Sequence, residues 1–215
     1  MKRIAYFGGT FDPVHNGHLS IARSLVPLFG LDRFFFLPAF HAPHKSDREP
    51  TSAFHRFAML SLATRSDPAI AVSTLELEKG EKRYTIDTLS ELRLLHPEAK
   101  VFFVMGADSW ADIRTWRDWE DVLLSSNHII VTRPGYEIGI GHVTDAVRER
   151  IVDLRAADGT TDENSKDKMI YITDAVRYDA SATEVRDDLG DGRLENKEDI
   201  PAEVANYSEK YELYR

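Results

Sequence analysis

Short apolar runs alternate along this chain with stretches in which apolar residues recur every three or four positions. The runs at 4–7, 34–37, 70–75, 101–105, 129–132 and 169–172 have the length and composition of buried strands. Between them, Ile21, Ala22, Leu25 and Leu28 mark one helical face. Phe54, Phe57, Ala58, Leu60, Leu62 and Ala63 mark a second, and Ile86, Leu89, Leu92 and Leu95 a third, with Thr85 placed to cap it. This alternation predicts βαβ units, an α/β fold and a parallel sheet that gathers ligands at the carboxyl ends of its strands. No internal repeat is present.

Towards the C-terminus the pattern changes. Residues 158–168, DGTTDENSKDK, hold no aliphatic or aromatic side chain and read as a solvated loop, either a surface insertion or a lid. Ser181 and Glu184 then match a capping box. A last helix is expected from Pro201 as its first residue, with Val204, Tyr207, Tyr211 and Tyr214 docking on the body.

The richest stretch is 8–18, GGTFDPVHNGH, which falls where the first strand hands over to the first helix. Gly8 and Gly9 carry no Cβ to hold a bulky anion off the backbone. A helix beginning near Asn16 aims free N–H groups and a positive dipole end at such an anion. His15 and His18, three apart, share one helical face. Taken alone, the stretch leaves phosphate binding, zinc binding and packing open. Asp12 and Pro13 shape the turn, with Asp12 bonding nearby backbone or ligating magnesium.

Composition narrows these choices. The chain has 215 residues, 42% of them hydrophobic, enough for one α/β domain with a small appendage. It has no cysteine, which removes disulfides, thiolate nucleophiles and cysteine-based zinc sites. The formal net charge is −9 with basic residues dispersed, so no basic face for long nucleic acid is expected, while a local anion pocket remains compatible. No apolar run is long enough for a membrane span, and the N-terminus lacks a secretory signal, so a cytoplasmic protein is expected.

Seven segments carry a family resemblance. GGTFDPVHNGH resembles the H-x-G-H signature of the nucleotidyltransferase superfamily related to class I aminoacyl-tRNA synthetases. PHK at 43–45, RYTIDTL at 83–89, MGADS at 105–109, TWRDWE at 115–120, TRPG at 132–135 and SATEVR at 181–186 resemble, in order, segments of bacterial nicotinate-nucleotide adenylyltransferase. The resemblance implies a Rossmann-like doubly wound parallel sheet over residues 1–180 and a small helical part, 181–215, packed on it. It implies that ATP and nicotinate mononucleotide give deamido-NAD and pyrophosphate, with magnesium accompanying ATP and no metal held by the protein itself. The mononucleotide's phosphate is already anionic, so placement and charge neutralisation suffice without a general base.

Residue roles follow from the same resemblance. His15, His18 and Arg186 are the implied catalytic groups, His18 foremost. Gly8, Gly9, Thr10, Gly106, Asp108, Arg133, Ser181 and Thr183 join them in binding ATP. Ala182 stands where many relatives have Ser. Lys45, Tyr84, Thr85, Trp116 and Arg117 are the implied mononucleotide contacts, Trp116 stacking on the pyridine ring and the start of the third helix receiving its carboxylate. On composition alone, Lys45 is an ordinary solvated lysine, Asp108 a helix cap, and Trp110, Trp116 and Trp119 core residues. The rival acceptors are nicotinamide mononucleotide and other phosphorylated small molecules. A non-catalytic nucleotide-binding protein is a second class, and a homo-oligomer is left open. A tRNA-charging enzyme would need a lysine in SATEVR, and there is none.

Overall fold

The computed structural model describes residues 1–40, 49–132, 137–156, 168–175, 182–191 and 198–215. Its centre is a seven-stranded sheet in the order β3-β2-β1-β4-β5-β7-β6. The strands are β1 (Lys2–Gly9), β2 (Arg33–Pro38), β3 (Ile70–Val72), β4 (Ala99–Gly106), β5 (Asn127–Val131), β6 (Ile151–Asp153) and β7 (Ile170–Thr173). Every pairing is parallel. The helices are α1 (Asn16–Leu28), α2 (Ala53–Thr64), α3 (Leu75–Lys79), α4 (Thr85–Leu95), α5 (Ala107–Ala111), α6 (Trp119–Ser125), α7 (Asp145–Arg148), α8 (Ala182–Gly190) and α9 (Ala202–Lys210).

Strand β1 shows how the pattern builds two layers. Successive side chains on a strand point to opposite faces. Ala5 and Phe7 join Phe34, Phe36, Phe102 and Val104 in one core, under α1, α2 and α9. Ile4 and Tyr6 join Val101, Phe103 and Met105 in the other, under α4 and α6. A strand buried on both faces reads as a continuous apolar run, which is why 4–7 stood out. β1 pairs with β2 on one side and β4 on the other. The strand order reverses there, and open parallel sheets bind ligands in the crevice beyond the carboxyl ends of the strands at such a point, here β1 and β4.

Several elements differ from the sequence expectation. The run 70–75 stops as a strand at Val72, and Leu75 opens α3. Strand β6 was not expected; its three residues are only half-buried and give little hydrophobic signal. The buried face of α2 is rotated: Phe54 is 67% exposed, whereas Ala53, Arg56, Met59, Leu60 and Thr64 face inward.

Helix α9 begins at Ala202 with Pro201 as its cap residue, one position later than expected. It packs on α2 through buried Val204 and Ala205, the Ser208 hydroxyl against the Met59 sulfur at 3.5 Å, and an Arg65–Glu203 ion pair at 2.7 Å. Tyr214 is buried, but Tyr211 stays exposed. Among the described residues, no helix is long and apolar enough to cross a membrane.

Candidate active site

The Gly8–Gly9 turn ends β1 at the mouth of the crevice. A Cβ on Gly8 would lie 2.8 Å from the Phe103 ring, and one on Gly9 2.8 Å from the Phe11 ring. The missing side chains therefore make room for two aromatic rings, and their absence needs no anion to explain it. Phe11 takes a left-handed backbone (φ 51°) and sets its ring edge-on to His18, with centroids 5.0 Å apart.

His15 is the cap residue of α1 and His18 closes its first turn. Their rings stack at 3.7 Å between centroids. The His15 backbone N–H donates to His18 Nδ1 at 3.3 Å. With Nδ1 accepting, a neutral His18 carries its proton on Nε2. The helix start is less open than expected. The Asn16 N–H donates to the Asp199 carbonyl at 2.8 Å, the His18 N–H donates to the His15 carbonyl at 3.0 Å, and the Asn16 side chain donates to the Glu198 carbonyl at 2.7 Å. Capacity for an anion at this end thus rests more on the imidazoles than on the helix N–H groups.

Asp12 does not bond nearby backbone as expected. Its carboxylate accepts the Thr51 N–H at 3.0 Å and the Tyr214 hydroxyl at 2.7 Å. Burial, then the Asp12 charge, push the Tyr214 phenol above its ordinary range. The Asp12 carbonyl accepts from Arg186 Nη1 at 2.7 Å, and Arg186 Nη2 donates to the Thr183 hydroxyl at 3.1 Å. Arg186 and Thr183, on α8, are thereby brought against the loop that leads into His15. Ser181, Lys45 and Arg133 lie outside the described residues.

On the far side of the crevice, Gly106 ends β4 and is itself the cap residue of α5. Asp108 sits inside the first turn and is exposed, so it is not the cap. A Cβ on Gly106 would meet nothing within 4 Å, so this glycine faces open space. Behind it, the Trp110 indole donates to the Gly139 carbonyl at 2.8 Å, and His142 Nε2 bonds the Trp110 carbonyl at 3.0 Å.

Tyr84, rather than Thr85, is the cap residue of α4, and Thr85 is its first helical residue. The Arg117 guanidinium lies 4.9 Å above the Tyr84 ring, which joins the RYTIDTL and TWRDWE segments. Trp116 and Trp119 are half-buried against the core, and Trp110 is the buried tryptophan.

A family model described as cytidylyltransferase-like matches residues 6–188. The chain is also 34% identical over 214 residues to a probable nicotinate-nucleotide adenylyltransferase of Thermoanaerobacter sp. (strain X514), spanning 99% of this chain and 94% of that one. The chain belongs to the cytidylyltransferase-like family, with its nicotinate-nucleotide adenylyltransferases. This adenylyltransferase-family chain is 44% identical over 138 residues to the similarly described protein of Symbiobacterium thermophilum, across 64% of this chain and 66% of that relative. The nicotinic acid mononucleotide adenylyltransferase of Plasmodium falciparum complexed with NaAD covers all of this chain at a TM-score of 0.75 and 21% identity, which shows a shared fold.

Sequence reasoning did not single out Arg56 or His142 near the candidate site of this adenylyltransferase-family chain, and it gave Asp12 and Tyr214 other surroundings, a local turn or magnesium for the first and packing on the body for the second. Arg56 and Tyr214 are polar groups buried by partners far along the chain, and His142 and the Asp12 carboxylate likewise bond across the fold. No local spacing marks them. An arginine inside an apolar helical face, as in FHRFAML, is the one signal that was present.

Proposed function

We propose that the chain transfers the adenylyl group of ATP to nicotinate mononucleotide, forming deamido-NAD and pyrophosphate in NAD biosynthesis. The observation that carries this is the stacked His15–His18 pair at the switch point of the sheet, with Arg186 held against the same loop. A phosphate oxygen of the mononucleotide attacks the α-phosphorus, and the bond from that phosphorus to the bridging oxygen breaks. The electron pair leaves with pyrophosphate. The nucleophile is already ionised, so the protein's task is alignment and charge stabilisation.

His18 supplies the Nε2–H to the phosphate chain where charge develops, with His15 stacked behind it. Arg186 spends two of its five N–H donors on Asp12 and Thr183, which fixes its plane and leaves the rest for phosphate. Gly8, Gly9 and Thr10 bind ATP on the same side, Thr183 does so from α8, and Ser181 is assigned to the same ligand. Gly106 and Asp108 receive the adenosine, Asp108 through ribose hydroxyls, with Arg133 on the phosphates. Lys45 takes the mononucleotide's phosphate. Trp116 stacks on the pyridine ring, and Tyr84, Thr85 and Arg117 receive its carboxylate at the start of α4.

Magnesium enters with ATP. Among the described residues, no cluster of three His, Asp or Glu side chains is arranged to hold a metal, and Asp12 has both carboxylate oxygens engaged. Carried in by the phosphate oxygens of the nucleotide, it would supply neutralisation of charge on the leaving pyrophosphate.

The test is pyrophosphate release with ATP and magnesium, comparing nicotinate with nicotinamide mononucleotide. We expect release with both substrates present and a higher kcat/KM for the nicotinate form. No release with either would overturn the proposal; equal kcat/KM would remove the carboxylate contact from it.

A further inference from the structure

Arg56 is 1% exposed, inside α2, and every hydrogen bond recorded for it ends on a backbone carbonyl. Nε donates to Thr51 at 2.8 Å, Nη1 to Thr10 at 2.6 Å, and Nη2 to Ala39 at 2.7 Å and Phe40 at 3.2 Å. Those carbonyls belong to three pieces of chain: the turn after β1, the exit of β2 and the entry to α2. Burying a guanidinium is costly unless its donors are satisfied. Core packing alone would be served as well by an apolar side chain, as at Met59 one turn further along. The planar fork of Arg, by contrast, holds several acceptors at fixed mutual angles, which Lys does not.

We infer that Arg56 is a positioning residue for adenylyl transfer: it sets the Gly8–Thr10 turn, and the phosphate chain seated there, at a fixed place relative to the exit of β2. The inference rests on the function proposed above. Arg56 itself touches no substrate. Its partner Thr10 directly precedes Phe11, whose ring packs on His18, so a shift at Thr10 moves the imidazole as well. A displacement of about 1 Å at a reacting centre costs on the order of a hundredfold in rate. ATP affinity is spread over adenine, ribose and three phosphates and changes far less.

The experiment compares Arg56→Lys and Arg56→Gln with the wild type. Folding is followed by circular dichroism and thermal melting, ATP affinity by calorimetry, and turnover by pyrophosphate release at saturating ATP and nicotinate mononucleotide. We expect at least one variant to fold, to bind ATP within about threefold of wild type, and to lose on the order of a hundredfold in kcat. Arg56→Ala should regain part of the lost rate when guanidinium ion is added at non-denaturing concentration. An unchanged kcat in a folded variant would overturn the inference. So would a rate loss matched by an equal loss of ATP affinity, or failure of both variants to fold, which would make Arg56 a stability residue. An inactive wild type would overturn the proposed function and this inference with it, whereas an active wild type beside an unaffected variant would overturn this inference alone.

Discussion

The Tyr214 hydroxyl donates to Asp12 Oδ1 at 2.7 Å, although 202 residues of chain separate the two. Asp12 also holds Thr51 by its other carboxylate oxygen and Arg186 by its carbonyl. One residue of the first loop thus joins the entry to α2, helix α8 and the end of the chain. In Tyr214→Phe, a partly buried carboxylate oxygen loses its donor while the ring still fills its space. We expect a loss of about 1–3 kcal/mol in denaturant unfolding. An unfolding midpoint equal to wild type would show that water replaces the hydroxyl at no cost.

His18→Ala removes the Nε2–H donor from the proposed phosphate site. We expect kcat to fall by about a hundredfold, the scale for one donor aimed at developing charge. The far-ultraviolet dichroism should remain that of the wild type. Wild-type turnover in the folded variant would exclude the role given to His18.

Trp116 is half-buried, so its substitution separates stacking from packing. With Trp116→Ala, we expect KM for the mononucleotide to rise on the order of tenfold, in line with stacking of a ring on an aromatic face. KM for ATP should change little. Equal rises for both substrates would mark Trp116 as a core residue only.

His128 gives a pH prediction that concerns stability alone. Burial holds its imidazole down at about 4, from an ordinary 6.5, and its Nε2 bonds the Val122 carbonyl at 2.9 Å. The folded state keeps the ring neutral, whereas the unfolded state takes up a proton near the ordinary value. The contribution is therefore fully present above pH 6.5 and is lost as pH falls towards 4. A shift of this size corresponds to about 3 kcal/mol. Urea unfolding at pH 7.5 and pH 4.5 should show a steeper loss in wild type than in His128→Gln. Parallel losses would assign the acid sensitivity elsewhere.

What the sequence disclosed depended on whether the signal was local. Strands β1, β2, β4, β5 and β7 are buried on both faces, so an apolar run announces each. The histidine pair was legible because a glycine turn, a helix start and the three-residue spacing all fall within 8–18. Helix α2 was found but in the wrong rotation, because hydrophobic periodicity treats Arg56 as surface and Phe54 as core, and both assignments are reversed. Turn chemistry, which is also local, made Asp12 a turn residue bonding nearby backbone. Its partners Thr51 and Tyr214 are 39 and 202 residues away, and only the assembled fold brings them together.

The carbonyl shell of Arg56 also orders electric polarity around the crevice. In a trans peptide unit the N–H points opposite the C=O. Peptide units 10–11, 39–40 and 51–52 turn their oxygens onto the guanidinium, so their N–H ends are directed away from it. A cation sealed in the core thereby aligns three backbone dipoles with their positive ends outward. The reach of its charge then depends on the orientation of the surrounding main chain, which no substitution by another buried side chain of equal volume would preserve.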